Sequence, residues 1–194
     1  MRSDMTQGAI FPDYELSDHT GKHRKLSELQ GEDPMVLVLG RGGFCPKDRR
    51  QAEGLLQLHR EMEVGYCRMV TITTDNIIQT NEYRSGIGAH WPFLSDTRRI
   101  VQKDLDIAEY TDAVHNPMIP HVIVLEPGLV IHKIYGLLVL RPSDRRRAPP
   151  GPPSRQQEMP AGLGHHNART QGCVATGPQG VLLSVRQNLS RNSR

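Results

Sequence analysis

The hydrophobic pattern is clearest in the middle of the chain, where an apolar run at residues 35–39 is followed by a glycine-rich loop. A continuous apolar run of this length is typical of a strand buried on both faces of a sheet. Apolar residues then recur at helical spacing, which predicts an amphipathic helix over residues 46–64. Pro46 suits the first helical position, where its missing N–H does no harm.

The rest of the first 135 residues shows strands alternating with helices. Residues 11–26 favour an N-terminal hairpin, and Pro127-Gly128 favours a second hairpin between strands 121–125 and 129–134. Between them the pattern predicts strands over 67–74 and 91–96, and helices over 77–86 and 98–105. This order indicates an α/β fold with a central mixed sheet and helices on both faces.

Charge and aromatic content divide the chain near residue 140. Residues 1–140 hold 15 basic and 19 acidic side chains, whereas residues 141–194 hold nine arginines and two acids. No aromatic residue follows Tyr135, and half of the 14 prolines lie in the last 54 residues. We therefore predict one folded domain at residues 1–135 and a low-complexity, disordered Arg/Pro/Gly-rich tail at residues 136–194.

The tail has two further interpretations. Its arginines could contact nucleic-acid phosphates, but it lacks aromatic residues for stacking, so no nucleic-acid partner is expected. Residues 136–141 can also be written in codons that, shifted by one nucleotide, read Gly-Tyr-Trp-Phe-Ser-Gly. We therefore hypothesise that the tail is frameshift-derived, and inspection of the coding DNA would decide this.

Several classes of protein are excluded by what the chain lacks. The polar N-terminus has no secretory h-region, and no apolar run approaches the ~20 residues that cross a bilayer. The widely spaced cysteines at 45, 67 and 173 form neither a disulfide scaffold nor a paired zinc motif. Nine scattered histidines do not indicate a metal site. We expect a cytoplasmic protein with no membrane partner, no metal and no other cofactor.

Cys45 is the strongest candidate for chemistry. It follows a buried strand, ends a glycine-rich loop and precedes a long helix. The free N–H groups and positive dipole at a helix N-terminus favour a reactive thiolate. Arg41 and Lys47 add positive charge, whereas Asp48 opposes it. The alternative is a small buried cysteine with only a packing role.

The loop, together with Phe93-Leu-Ser-Asp96 and Met118-Ile-Pro-His121, resembles redoxins of the alkyl hydroperoxide reductase and thiol-specific antioxidant family. The resemblance covers about residues 8–135. It implies a peroxiredoxin-like protein with a thioredoxin-like fold, in which Pro120 forms a cis peptide and lies against Cys45. Without the resemblance, Pro120 could equally be an ordinary trans proline at the start of a strand. The implied active-site loop consists of Gly42, Gly43, Phe44 and Pro46.

The resemblance also implies a mechanism. The Cys45 thiolate attacks a hydroperoxide and becomes a sulfenic acid, which an external thiol reduces. Arg41 is the candidate that stabilises the leaving oxygen, with Arg84 as an alternative that we favour as a surface residue. Cys67 is expected to be structural, and Cys173 could resolve the sulfenic acid if its tail folds back.

The chain departs from the family pattern at three positions, one of which is Val38, where peroxiredoxins carry proline. Asp48 replaces the second cysteine of a Cys-x-x-Cys motif, so no local disulfide can form. Gly42 stands where peroxiredoxins carry Thr or Ser, so loop N–H groups would have to orient the peroxide. These departures keep two other hypotheses open, a catalytically inactive redoxin used for binding or redox sensing, and an unstable product without function.

His121 is expected to be exposed at a strand edge, whereas Trp91 and Phe93 are expected in the core.

Overall fold

The computed structural model describes residues 1–136, which form a seven-stranded sheet and four helices. The predicted tail at residues 136–194 therefore lies outside the described residues, except for Gly136. The elements are β1 (Glu15–Asp18), β2 (His23–Lys25), α1 (Leu26–Gln30), β3 (Met35–Gly40), α2 (Pro46–Val64), β4 (Arg68–Thr73), α3 (Ile77–Ile87), β5 (Phe93–Ser95), α4 (Ile100–Asp104), β6 (His121–Glu126) and β7 (Val130–Gly136).

The sheet has the strand order β2-β1-β5-β4-β3-β6-β7. Strands β3, β4 and β5 are parallel, and the helices α2 and α3 connect them in turn. The remaining pairings are antiparallel, including the N-terminal and C-terminal hairpins. The prediction of a mixed sheet ending in a hairpin is confirmed.

Helices cover both faces of this sheet. Successive residues of β3 point to opposite sides of the sheet, and the two sides pack against different helices. Leu37 packs in the main core with Leu26 of α1 and Val101 of α4. Its neighbour Val38 faces the other side, where it lines a small cavity together with Ala52 of α2. All six residues of β3 are buried, as the continuous apolar run predicts.

Local signals explain why α2 and α3 begin and end where they do. Pro46 is the first residue of α2, and Gly65 follows its last residue. Asn76 begins α3 through a reciprocal pair of hydrogen bonds with Gln79, and Gly88 ends that helix in the left-handed conformation with φ of 71°. Among the described residues, no helix is both long enough and apolar enough to cross a membrane.

Candidate active site

The candidate residues meet at one edge of the sheet. The loop that carries Cys45 follows the carboxyl end of β3, and Asp75 lies two residues after the end of β4. Leu39 of β3 pairs with His121 of β6, which places Pro120 at the same edge. Residues from three distant parts of the sequence are therefore brought together by the strand order.

Cys45 occupies the capping position directly before α2, as predicted. Its N–H donates to the Gly42 carbonyl at 3.1 Å, and its own carbonyl accepts from the N–H of Arg49 at 3.0 Å. The residue is buried, with 8% of its surface exposed. No side-chain hydrogen bond caps α2, so the first N–H groups of the helix lie beside the cysteine without a capping partner.

Arg41 is held inside the site by two carboxylates. Its Nε donates to Glu109 Oε2 at 2.5 Å, and its Nη1 lies 3.5 Å from Asp48 Oδ1. Burial disfavours the guanidinium charge, but the hydrogen bond to Glu109 and the charges of Glu109, Asp48 and Cys45 outweigh burial and raise the pKa of Arg41. The predicted cation is present beside Cys45, and its charge is largely compensated.

Asp48, at the position of a second motif cysteine, has a structural role. It is buried, and its Oδ2 accepts the main-chain N–H of Arg41 at 2.5 Å. The carboxylate therefore ties the first turn of α2 to the loop that precedes Cys45. Sequence reasoning recorded its charge and the missing cysteine but not this hydrogen bond, because the contact depends on how the loop folds back.

Asp75 occupies the space beside Gly42. A Cβ atom on Gly42 would collide with Asp75 Oδ1, and Gly42 adopts a φ of 129°. The other oxygen, Oδ2, accepts the Gly43 N–H at 2.7 Å. Burial raises the pKa of this carboxyl. A threonine or serine at position 42 is therefore incompatible with this loop, which explains one departure from the family pattern.

We expected N–H groups of the cysteine loop to orient a peroxide. For two of these N–H groups the expectation is wrong. The Gly43 N–H donates to Asp75, and the Cys45 N–H donates to Gly42. Both donors are already used inside the protein, because a tight loop satisfies its own polar groups.

Phe44 forms one wall of a cleft next to the cysteine loop. Its half-exposed ring stacks on His115 with ring centroids 3.9 Å apart and an interplanar angle of 8°. The cleft has a volume of about 440 Å³. Its lining residues are Gly43, Phe44, Arg49, Thr74, Asp75, Gln79, Glu82, Tyr83, Arg99 and His115.

Arg99 holds the loops around this cleft. It adopts a left-handed conformation with φ of 59°, and its guanidinium donates to five carbonyl oxygens. The acceptors are Thr74, Asp96, Thr97, His115 and Asn116. Sequence reasoning missed this residue, because a guanidinium that binds backbone carbonyls has no sequence signature.

Two predictions about the opposite side of the site are wrong. The peptide bond before Pro120 is trans, and the segment before it pairs in extended form through Ile119 N–H and the Ile107 carbonyl at 2.6 Å. The trans isomer of a bond before proline is intrinsically favoured by about 0.5–1 kcal/mol. His121 is buried rather than exposed, because it lies inside the sheet between β3 and β7. Burial lowers its pKa.

Arg84 and the two aromatic candidates have structural roles. Arg84 is half-buried and donates to the carbonyls of Trp91 and His90, so it is not the surface residue that we favoured. Burial lowers the pKa of Arg84. Trp91 and Phe93 are core residues, as predicted.

Cys67 lies at the opposite end of the sheet from Cys45. It precedes Arg68, which pairs with Met35 at the start of β3, whereas Cys45 follows the end of that strand. Six residues of strand span about 20 Å. A disulfide requires Cα atoms within about 7 Å, so Cys67 cannot bridge to Cys45 in this fold. Burial raises the pKa of Cys67 to about 11.

This arrangement of sheet, loop and cysteine can be compared with known proteins. The model of the AhpC/TSA family matches residues 7–134. The chain belongs to the AhpC/TSA family. The match covers nearly all of the described residues, and its limits agree with the resemblance seen in the sequence.

Solved structures of peroxiredoxins share the fold of this AhpC/TSA member. Peroxidoxin BcpB from Mycobacterium tuberculosis superposes with a TM-score of 0.62 at 22% identity, covering 68% of this chain and 86% of its own. Reduced Prx3 from Vibrio vulnificus in complex with H2O2 gives a TM-score of 0.63 at 18% identity, and the match covers 69% of this chain and 88% of Prx3. The fold is therefore the thioredoxin-like fold of the peroxiredoxins.

Curated relatives include a protein of Mycobacterium tuberculosis that is named as a peroxiredoxin. It is 29% identical over 97 residues, which are 50% of this chain and 63% of the relative. The chain thus spans less than two thirds of the length of the curated relatives that it matches.

Proposed function

We propose that the protein is a thiol peroxidase that reduces hydroperoxides through Cys45. Membership of the AhpC/TSA family supports this proposal. The observation that carries it is the position of Cys45, before the first turn of α2 and beside the Arg41 guanidinium. Within the described residues the other cysteine, Cys67, is too distant to take part.

The proposed first step is a nucleophilic displacement. The Cys45 thiolate attacks the terminal oxygen of the hydroperoxide, so that an S–O bond forms while the O–O bond breaks. The sulfur is oxidised by two electrons to a sulfenic acid. The departing oxygen takes up a proton and leaves as an alcohol, or as water when the substrate is hydrogen peroxide.

Arg41 is proposed to stabilise the negative charge that develops on the departing oxygen. Its Nε and Nη1 face Glu109 and Asp48, which fix the plane of the guanidinium and leave Nη2 as the donor. A donor already held in place needs no reorganisation when the charge develops. The two carboxylates therefore act as positioning groups for Arg41.

Reduction of the sulfenic acid is proposed to require a thiol from outside residues 1–136. Asp48 replaces the nearby second cysteine, and Cys67 lies at the other end of the sheet. One structural neighbour is a yeast mitochondrial 1-Cys peroxiredoxin whose thiol is resolved through glutathione and thioredoxin systems. The protein is proposed to act in the cytoplasm, a reducing environment.

The test is peroxide consumption by the full chain with dithiothreitol as reductant. We expect Cys45→Ser to abolish turnover, because the nucleophile is lost. The matched control Cys67→Ser should retain it. Turnover that survives Cys45→Ser would refute the site assignment.

A second candidate function is a redoxin module that binds or senses without turnover. The observation in its favour is the Gly42 position, which lacks the hydroxyl found in the family and is filled by Asp75. The same assay separates the two. Cys45 that stays reduced in the presence of excess peroxide would favour the binding module.

A further inference from the structure

The cleft next to the cysteine loop is lined by two arginines, Arg49 and Arg99. The guanidinium of Arg99 donates to five carbonyl oxygens. Arg49, in contrast, is half-buried above the Tyr83 ring, 5.8 Å from its centroid. Within residues 1–136 its guanidinium makes no ion pair, so it keeps its donors for a ligand.

A carboxylate on the facing helix is equally unused. Glu82 of α3 lines the same cleft, is exposed, and forms no ion pair within the part of the chain that the structure describes. Arg49 and Glu82 therefore present one positive and one negative charge to the same space without neutralising each other. Such a pair is complementary to a ligand that carries both a carboxylate and an ammonium group.

The cleft also adjoins the loop that carries Cys45. Arg49 follows Cys45 by four residues, so it stands about one helical turn further along α2. Gly43 and Phe44, from the cysteine loop, form part of the cleft wall. A volume of about 440 Å³ lies in the range of sites for small molecules rather than of a flat protein interface.

We propose that this cleft binds the reductant, and that the reductant is a small zwitterionic thiol whose carboxylate pairs with Arg49 and whose ammonium pairs with Glu82. This inference rests on the proposed peroxidase function. The bound thiol attacks the Cys45 sulfenic acid, forming an S–S bond and releasing water. A second thiol then displaces Cys45 as a thiol and leaves with the first as a disulfide.

The test compares four reductants that carry different charges beside the thiol. Glutathione has both charges, N-acetylcysteine only the carboxylate, cysteamine only the ammonium, and dithiothreitol neither. We expect Arg49→Gln to raise the KM about tenfold for glutathione and N-acetylcysteine alone. Glu82→Gln should raise the KM for glutathione and cysteamine alone. Each variant is compared with the wild type for the same thiol, so intrinsic thiol reactivity cancels.

Arg50→Gln is the matched control, because Arg50 is the next residue on α2, is exposed and does not line the cleft. It should leave all four KM values unchanged. The Arg49 effect should also weaken at high salt, since it is electrostatic. An equal change for all four thiols, or none, would overturn the proposal.

Failure of the peroxidase proposal would look different. Oxidation of Cys45 by peroxide is measured first, in a single turnover without reductant. If that oxidation fails, the proposed function is wrong. If it proceeds and the thiol pattern is absent, only the assignment of the cleft is wrong.

Discussion

Removing the Arg41 guanidinium should destabilise the protein strongly at neutral pH. The side chains of Arg41, Asp48 and Glu109 are 13%, 7% and 11% exposed, so the ion pairs are nearly buried. Breaking a buried pair by deleting one partner costs roughly 3–5 kcal/mol, because the remaining charge is left uncompensated. Asp48 keeps its main-chain hydrogen bond, so we expect Arg41→Gln to cost about 3 kcal/mol.

Urea denaturation gives the free energy of unfolding for the wild type, Arg41→Gln and the exposed control Arg50→Gln. A loss of about 3 kcal/mol corresponds to a Tm lower by about 10 °C for a domain of this size. A loss below about 0.5 kcal/mol would refute the reasoning.

Three further predictions concern the cysteine loop and its neighbours. Gly42→Ala should destabilise the protein by at least about 2 kcal/mol in the same urea assay, because the new Cβ would meet Asp75 at a φ of 129°; a neutral effect would contradict the loop geometry. Peroxide-treated protein should contain no Cys45–Cys67 disulfide by peptide mass spectrometry, and finding one would contradict the strand register. Burial raises the pKa of Asp75, so the native state keeps the carboxyl proton to a higher pH than the unfolded chain does. The free energy of unfolding therefore falls as pH rises from the unfolded-state pKa to the folded-state pKa of Asp75. Asp75→Asn should therefore be more stable than wild type at pH 7 and lose this advantage in acid; a variant less stable at pH 7 would show that the Asp75 charge is needed.

The elements that could be predicted from the sequence are those with strong local signals. The apolar run of β3 and the Pro46 and Gly65 limits of α2 are properties of neighbouring residues, and both predictions are confirmed. The position of Cys45 before α2 follows directly from these limits. Local patterns therefore located the candidate nucleophile.

The partners of the site could not be predicted, because they come from distant segments. Glu109 is 68 residues from Arg41, and Asp75 is 32 residues from Gly43. Both contacts depend on the strand order at the sheet edge, which hydrophobic patterns do not encode. The prediction of a cis bond before Pro120 came from the family resemblance and not from a local signal, and the bond is trans.

The most direct test of the central claim is the state of Cys45 after a single addition of hydrogen peroxide to the full, reduced chain. A sulfenic-acid trap followed by mass spectrometry should place the label on Cys45 in the wild type and in Cys67→Ser, with one equivalent of peroxide consumed per chain. Peroxide left unconsumed, or a label found on Cys67 with Cys45 still reduced, would contradict the account.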